Sequence, residues 1–420
     1  MALFKGIGPH RFLSAQETME QEPLLNPKNP LGGAIYHDAT MDDARVCLET
    51  LLQANEMGAY ISNYATVTHV QEKEGLIHDV CVEDTFSKES AHITTSFLVN
   101  ATGPWADSFN HLVDTTLPPH LNPSKGIHVV TAPLTQSHAI LLHSKKDQRA
   151  LFIIPRNGTA LIGTTDTDFS GNPDTLSIEA DDVSYLLEAV NYFMPDKHLT
   201  ESDIIYHTVG LRPLIQQTTQ SSYKRSREHH FFWPRPNMMT ISGGKYTTYR
   251  SIAEEATKLI LKNMSPSKAI QSLTRNLPLY GGNFEDLDTL FETHRDYLCK
   301  TYQIDSDIVY FIMSRYGSRF EDILRCLAEN HLFQDNISDT PYYKGEVIYA
   351  IRQEMAVTLE DFLRRRTSIL LDKGPNHTCV NEVASLFQQE LAWTDTQKES
   401  EIHAFLESVS KPLYTKQHNG

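Results

Sequence analysis

The stretch of this 420-residue sequence that is best suited to binding a ligand contains two adjacent glycines, Gly243 and Gly244. Two cationic residues follow them in the sequence. An apolar run typical of a short buried strand precedes the pair, and residues that favour a helix follow it. Glycines let backbone N–H groups approach a ligand, and a helix N-terminus favours an anion. Lys245 and Arg250 add two positive charges. The stretch therefore predicts a site for an anionic group or for the edge of a cofactor.

Polar residues within or after other apolar runs are further candidates. The Ala-Thr-Gly sequence at 101–103 follows a strand-like run, where α/β folds bind ligands, although taken alone it indicates an ordinary strand exit. Arg212 lies inside an apolar run, so its charge requires either an acidic partner or a bound anion. Asp166 and Asp168 close a third run, where they could serve acid–base catalysis, bind a metal ion or simply end a strand.

Composition and charge limit the classes of function. With 53 acidic and 37 basic residues the net charge is −16, which argues against nucleic acid as a partner. The five cysteines are scattered without a C-x-x-C pair, so we expect reduced thiols in a cytoplasmic protein. The adjacent His229 and His230 would point to opposite faces of a strand, and no metal site is predicted there. No apolar run approaches the length of a membrane span.

Hydrophobic periodicity predicts the secondary structure. Apolar faces and two capping boxes, at 14–17 and 318–321, predict helices over 14–20, 42–57, 181–193, 305–316, from 318 onward and 346–366. In the helix over 42–57, residues at helical spacing should face inward, namely Ala44, Cys47, Leu48, Leu51 and Leu52. Strand-like runs cover 59–70, 76–82, 92–100, 125–130, 151–155 and 160–168, the last two forming a hairpin at Asn157-Gly158.

The order of these elements predicts three parts of the chain. Residues 1–262 mix helices with strands and contain a β-rich section at about 110–235, whereas residues 285–400 are helical. Residues 263–284 carry two prolines and a glycine pair, so they are predicted to be a linker.

A series of motifs, in order from about residue 10 to about 395, resembles the FAD-dependent glycerol-3-phosphate dehydrogenases. They are G-A-I-Y at 33–36, D-D-A-R at 42–45, N-A-T-G-P-W-A-D at 100–107, P-S-K-G-I-H at 123–128, I-G-T-T-D-T-D at 162–168, G-L-R-P-L at 210–214, G-G-K-Y-T-T-Y-R at 243–250, R-Y-G-S-R at 315–319 and Y-A-I-R-Q-E-M at 349–355. The segment at 243–250 is the most specific of these.

The resemblance implies oxidation of sn-glycerol 3-phosphate to dihydroxyacetone phosphate, with FAD as hydride acceptor and quinone as electron acceptor; oxygen, as in an oxidase, is the alternative. The positions that match the family's substrate residues are His128, Arg212 and Lys245. The positions that match its cofactor contacts are Ala101, Thr102, Gly103, Trp105, Gly243, Gly244, Lys245, Tyr246, Thr247 and Thr248. These types suit the chemistry, because guanidinium and ammonium groups bind phosphate and imidazole can accept the hydroxyl proton.

The resemblance also implies a fold and a cellular setting. The expected fold class is α/β (α+β), with an FAD-binding Rossmann-like domain, an inserted antiparallel-sheet substrate domain and a C-terminal helical domain. A quinone acceptor implies a cytoplasmic protein with peripheral contact at the inner face of the membrane, and a homodimer is a further candidate assembly.

One family feature is absent from the sequence. Family members begin with a strand, a G-x-G-x-x-G turn and a helix that hold the FAD pyrophosphate. This sequence contains no such motif. We therefore expect an N-terminally incomplete FAD domain, either from truncation or as a non-catalytic remnant that does not hold FAD.

Overall fold

The structure is a computed structural model that describes residues 10–26, 31–216, 228–264 and 271–410. The strands in these ranges are β1 (Arg11–Ser14), β2 (Gly32–Ile35), β3 (Ala65–Lys73), β4 (Leu76–Asp84), β5 (Ser90–Thr94), β6 (Leu98–Asn100), β7 (Ser124–Thr131), β8 (Ile140–His143), β9 (Ala150–Arg156), β10 (Thr159–Gly163), β11 (Thr167–Asp168), β12 (Tyr206–Arg212), β13 (His229–Arg235) and β14 (Met238–Gly243).

The α-helices in these ranges are α1 (Ala15–Gln21), α2 (Asp43–Glu56), α3 (Ala106–Asn110), α4 (Ala180–Phe193), α5 (Tyr249–Met264), α6 (Leu287–Tyr302), α7 (Ser306–Tyr316), α8 (Phe320–Glu329), α9 (Lys344–Gln353), α10 (Ile369–Lys373), α11 (His377–Leu391) and α12 (Asp395–Ser410). These bounds confirm the helices predicted over 14–20, 42–57, 181–193 and 305–316 to within a residue. Ser14 and Glu17 form the predicted capping box. None of the helices in the described ranges has both the length and the hydrophobicity needed to cross a membrane.

A six-stranded antiparallel sheet positions the site. Its strand order is β11-β7-β10-β9-β8, with β12 paired to β7 over seven residues from Tyr206 to Arg212. The predicted hairpin is confirmed, with β9 and β10 joined at Asn157-Gly158. The run predicted over 160–168 is interrupted, because the Thr165 hydroxyl takes the N–H of Ile127 in place of a strand carbonyl.

The two faces of this sheet are covered differently. Alternate side chains point to opposite faces. Ile127, Val129 and Ile162 point to one face and pack in a core that includes Val183 and Leu186 of α4. On the other face, a second core joins three sheet residues to the C-terminal helices: Val130, Leu161 and Tyr206. That second core covers only one end of its face, and the other end carries the candidate site.

Besides a two-stranded sheet of β1 and β2, the described residues form two three-stranded sheets. The order β13-β14-β6 includes one parallel pair, β14 with β6, while β3-β4-β5 is an antiparallel meander that packs on it through Val70, Ile77 and Met238. The single strand predicted over 92–100 is wrong, because β5 and β6 belong to these different sheets. The strand predicted from residue 59 begins at Ala65, since Tyr64 adopts a φ of +53°.

The C-terminal helices depart from the sequence prediction in two places. The helix predicted over 346–366 is broken: α9 ends at Gln353, and a π-helical turn follows at Asp361–Arg366. The Asp361 carboxylate accepts the N–H groups of Val357 and Thr358 at 3.0 Å each, which starts a new turn. The capping box predicted at 318–321 does not form, because the N–H of Ser318 donates to Gly281.

The predicted inward face of α2 is also wrong in part. Leu48 is buried, but Cys47 is exposed and Leu51 is 40% exposed. An ion pair anchors the helix instead: Arg45 Nη1 lies 2.5 Å from the fully buried carboxylate of Glu354, which follows α9. Helix α2 therefore docks on the C-terminal helices through charge as well as through apolar contact. The division of the chain into domains at 1–262 and 285–400 stays a prediction.

Candidate functional site

The antiparallel pair β7 and β12 brings two of the predicted substrate residues to one face of the six-stranded sheet. Paired residues on neighbouring strands point the same way, as do residues two apart on one strand. The register pairs are His128 with Thr208, Gly126 with Gly210, and Ser124 with Arg212. His128 and Arg212 therefore share one face of the sheet, at the end that the C-terminal helices leave open.

The guanidinium of Arg212 lies directly over Gly126, where an added Cβ would come within 2.4 Å of Nη2. Nη2 donates to Thr164 Oγ1 at 3.0 Å and to the carbonyl of Thr165 at 3.1 Å. Nη1 donates to Ser124 Oγ at 3.4 Å. These partners orient the guanidinium, while 26% of the side chain stays exposed. An anion can therefore reach a guanidinium whose orientation is already set.

Asp166 is an ion-pair partner of Arg212. Its side chain is 9% exposed, and its Oδ1 lies 3.6 Å from Arg212 Nη1. Among the described residues, that oxygen has no hydrogen-bond partner. The contact gives Asp166 a role that the sequence did not indicate. It also supports the alternative interpretation of Arg212 as a structural ion pair, which the experiment below separates from substrate binding.

His128 packs its ring flat against a glycine. A Cβ on Gly163 would come within 2.2 Å of His128 Cδ2. Burial and the charge of Arg212 lower the pKa of His128 from its ordinary value of 6.5 to about 4, and Asp43 partly opposes this effect. The imidazole is therefore neutral near pH 7, in the state that can accept a proton.

The glycine pair forms the turn from β14 towards α5. Gly243 and Gly244 have φ values of +77° and +84°, in the left-handed region that favours glycine. Cβ atoms added there would come within 2.4 Å of the Glu228 carbonyl oxygen and 2.6 Å of Ile252 Cδ1, respectively. The packing of the chain itself therefore requires both glycines, whether or not a ligand binds.

The four residues after the glycine pair present hydroxyls and an ammonium group to solvent. Lys245, Tyr246, Thr247 and Thr248 are exposed. The carbonyl of Lys245 accepts a 2.8 Å hydrogen bond from the Thr248 hydroxyl. The Tyr246 hydroxyl donates to the carbonyl of Asp43 at 3.2 Å, and partial burial, helped by neighbouring groups, raises its pKa to about 12. This turn is thereby joined to the start of α2.

The Ala-Thr-Gly segment lies at the same sheet edge as the glycine pair, because it follows β6, which runs parallel to β14. The buried Asn100 holds it: its Oδ1 accepts hydrogen bonds from the N–H and the hydroxyl of Thr102 at 3.2 and 2.7 Å. Ala101 and Thr102 stay exposed. Trp105 is 42% exposed and donates Nε1 to Asp174 at 2.9 Å. The two predicted cofactor segments are thus brought together.

The cofactor edge and the His128–Arg212 pair are neighbours. A Cβ on Gly243 would come within 2.9 Å of Ile215 Cδ1, three residues beyond Arg212. The glycine pair therefore packs against the chain just beyond Arg212.

Sequence reasoning missed three residues of this site: Asp43, Ser124 and Thr164. A signal for Ser124 was present in the alternation Ser124-Gly126-His128, which places small and polar residues on one strand face. Asp43 belongs to the D-D-A-R motif at 42–45, but nothing local marks it as a neighbour of His128, because that depends on how α2 docks.

Comparisons with known proteins show the family to which the chain belongs. A family model described as FAD dependent oxidoreductase matches residues 2–250, and one described as the C-terminal domain of alpha-glycerophosphate oxidase matches residues 272–398. An aerobic glycerol-3-phosphate dehydrogenase of Staphylococcus saprophyticus is 31% identical over 402 residues, covering 92% of this chain and 71% of that protein. The chain belongs to the FAD-dependent glycerol-3-phosphate dehydrogenase family. The family, its fold class and its cofactor are thereby confirmed as predicted.

Further relatives of this family show how far the similarity extends. The Staphylococcus aureus aerobic glycerol-3-phosphate dehydrogenase is 32% identical over 368 residues, which cover 85% of this chain but 65% of that protein. The crystal structure of the Bacillus halodurans glycerol-3-phosphate dehydrogenase, complexed with FAD, superposes with a TM-score of 0.82 at 28% identity. That match covers 96% of this chain and 82% of the other. The chain thus spans about two thirds of the length of these Staphylococcus relatives.

FAD is the cofactor of this family, and the described residues fit one end of it. The exposed backbone at 101–103 and the turn at 245–248 would hold the flavin end, with Lys245 supplying a positive charge. Among the described residues β6 is the last strand of the β13-β14-β6 sheet, and the sequence carries no G-x-G-x-x-G turn for a pyrophosphate. The fit is therefore to the flavin end of the cofactor.

Proposed function

We propose that this chain oxidises sn-glycerol 3-phosphate to dihydroxyacetone phosphate and passes the electrons to quinone. The observation that supports this most is the pairing of a neutral imidazole, His128, with an accessible guanidinium, Arg212, on one open sheet face. The first can take a proton and the second can bind a phosphate. FAD, when bound, supplies the acceptor for the hydride that leaves C2 of the substrate.

His128 acts as the base in this proposal. A ring nitrogen takes the proton of the C2 hydroxyl as the C2–H bond breaks, so that a carbonyl forms at C2. The low pKa of His128 keeps the imidazole unprotonated at neutral pH, and the exposed carboxylate of Asp43 favours the imidazolium that forms.

Arg212 binds the phosphate in this proposal. Its guanidinium is held by Thr164, Thr165 and Ser124, so little side-chain entropy is lost when the phosphate binds. The nearby carboxylate of Asp166 limits the net positive charge around the phosphate group and so favours release of the product, dihydroxyacetone phosphate. Lys245 acts at the cofactor end, where a cation stabilises negative charge that develops during reduction.

The electron acceptor distinguishes two versions of this function. Quinone reduction requires peripheral contact with a membrane surface, whereas an oxidase releases hydrogen peroxide. Turnover of the FAD-loaded chain in air, with peroxide measured alongside reduction of a soluble quinone, separates them. A stoichiometric yield of peroxide would contradict the quinone proposal.

Substitution of Arg212→Lys tests the assignment to phosphate. Lysine keeps the charge but loses the planar pair of donors, so KM for glycerol 3-phosphate should rise roughly tenfold or more, for about 1.5 kcal/mol of lost binding. Arg235→Lys is the control, because Arg235 pairs with Glu72 and Asp114 at the surface. If Arg212→Lys instead lowers Tm and leaves KM unchanged, Arg212 is a structural ion pair with Asp166.

Retention of FAD tests the remaining alternative, a non-catalytic remnant. We expect the purified chain to bind added FAD weakly, because the described residues fit only the flavin end. Titration followed by flavin fluorescence measures the affinity. Complete absence of binding at saturating FAD would favour the remnant over the enzyme.

A further inference from the structure

Gly210 is an exposed glycine in the middle of strand β12. Among the residues that the structure describes, a Cβ added to it would meet no atom within 4 Å, in contrast to the other two glycines of this sheet face. At Gly126 the Cβ position is filled by the Arg212 guanidinium, and at Gly163 by the His128 ring. The space over Gly210 is therefore open, whereas the spaces over Gly126 and Gly163 are filled.

The packing of the protein gives no reason for glycine at this position. Gly210 is paired in a regular ladder with Gly126, and its backbone does not adopt a left-handed φ. Glycine weakens the interior of a strand, because it loses more conformational entropy on folding and offers no side chain to pack. A strand glycine without a packing role commonly marks the close approach of a ligand or of another backbone.

The open space lies on β12, beside the two functional side chains, which extend over Gly126 and Gly163. Along β12, Gly210 separates Thr208, which is paired with His128, from Arg212. The Arg212 guanidinium reaches back over Gly126, two residues from His128 along β7. Two residues of a strand span about 6.6 Å, a length that a three-carbon phosphate ester can bridge. A ligand with its phosphate on Arg212 and its hydroxyl towards His128 would have its carbon chain beside the guanidinium, where the open space over Gly210 adjoins Gly126.

We infer that Gly210 is the floor of the substrate hollow and determines substrate specificity, by leaving room for a slim three-carbon chain between His128 and Arg212. This inference rests on the proposed function. Any side chain at 210 occupies the hollow without disturbing the protein. The same geometry excludes substrates whose carbon chain is branched next to the phosphate-bearing carbon.

Substitution of Gly210 by Ala and by Val tests the inference on the FAD-loaded full chain. Isothermal titration with dihydroxyacetone phosphate measures binding without turnover, and inorganic phosphate serves as a second probe. We expect affinity for dihydroxyacetone phosphate to fall about tenfold for Gly210→Ala and further for Gly210→Val, in line with the effect of one misplaced methyl group in a fitted pocket. Affinity for inorganic phosphate should change less, because Arg212 is untouched.

Stability separates this role from a structural one. Tm of both variants should equal or exceed that of the wild type, since alanine and valine favour a strand over glycine. Ala91→Val, which enlarges an exposed residue on β5, is the matched control and should leave both ligand affinities unchanged.

The outcomes distinguish the role inferred for Gly210 from the proposed function. If Gly210→Ala binds dihydroxyacetone phosphate like the wild type while Arg212→Ala loses it, this inference is wrong and the proposed function stands. A lower Tm in both Gly210 variants would make the glycine a packing requirement and would also overturn it. If the wild type itself binds no dihydroxyacetone phosphate, the proposed function fails together with the inference.

Discussion

One face of the six-stranded sheet has two ends that follow opposite rules. At the covered end, Val130, Leu161 and Tyr206 pack in a common core with the C-terminal helices. At the open end, the same strands carry Gly126, Gly163 and Gly210 together with His128 and Arg212. Both ends share one register and one backbone, so the size and polarity of the side chains separate them. Large apolar residues recruit another layer, while missing Cβ atoms leave room for polar side chains and a ligand.

The covered end should govern stability without affecting chemistry. Phe362 is 1% exposed in the core that includes Val130 and Tyr206. Phe362→Ala should cost about 3–5 kcal/mol of unfolding free energy, because it leaves a cavity. Chemical denaturation measures the loss, and Phe86→Ala, at a 56% exposed ring, is the control with a much smaller effect. An equal rise in KM for glycerol 3-phosphate would show that the two ends are not independent.

At the open end, the position of the His128 ring over Gly163 should govern the chemical step. In Gly163→Ala the new Cβ would overlap the His128 ring at 2.2 Å, so the ring must move. We expect kcat to fall on the order of a hundredfold, the usual contribution of a well-placed general base. Steady-state kinetics at saturating glycerol 3-phosphate measure this effect. An unchanged kcat would mean that His128 is not the base or that its position is not critical.

The position of the Arg212 guanidinium over Gly126 should instead govern the affinity for glycerol 3-phosphate. In Gly126→Ala the new Cβ would overlap the guanidinium at 2.4 Å from Nη2, and the flexible end of Arg212 can swing away while the strand stays intact. KM should rise about tenfold, equivalent to about 1.4 kcal/mol, with a smaller change in kcat. Gly163→Ala and Gly126→Ala are controls for each other, because the contrast requires a kcat effect in one and a KM effect in the other.

The smallest expected effect concerns the charge around His128. Because the base must be unprotonated, kcat/KM should stay constant as pH falls and drop only near the pKa of about 4, not near 6.5. Asp43→Asn removes a group that raises this pKa, so the acid limb should move lower, by less than about one pH unit for an exposed carboxylate. Asp296→Asn, on the exposed surface of α6, is the control. An acid limb at 6.5 in both proteins would contradict the buried environment of His128.

The same pKa has a consequence for folding. Between pH 4 and 6.5 the unfolded chain binds a proton at His128 that the folded chain does not bind. Stability contributed by the neutral imidazole is therefore lost as pH falls through this window, which differs from the window of the kinetic acid limb.

Strong local patterns predicted much of the fold. The hairpin at Asn157-Gly158 was predictable because its turn residues match the observed turn. Helix α4 was predictable because its hydrophobic residues, at helical spacing, are the ones that the structure buries. The break after α9 was not predictable, since residues 346–366 carry a continuous apolar face. It arises from the Asp361 carboxylate, which takes the N–H groups of Val357 and Thr358. Competition of this kind depends on tertiary position, and periodicity does not report it.

Sequence alone determined which residue types are available to the site: the glycine pair with Lys245, the Ala-Thr-Gly strand end, His128 and Arg212. Local sequence patterns are enough to find these residues, because turns, strand ends and family motifs each consist of residues that are close together in the sequence. Tertiary structure decided what surrounds them. It set Asp166 beside Arg212, brought Asp43 towards His128 through the docking of α2, and left Gly210 open. These partners are tens of residues apart in sequence, so only the antiparallel register and the packing of α2 on the C-terminal helices could bring them together.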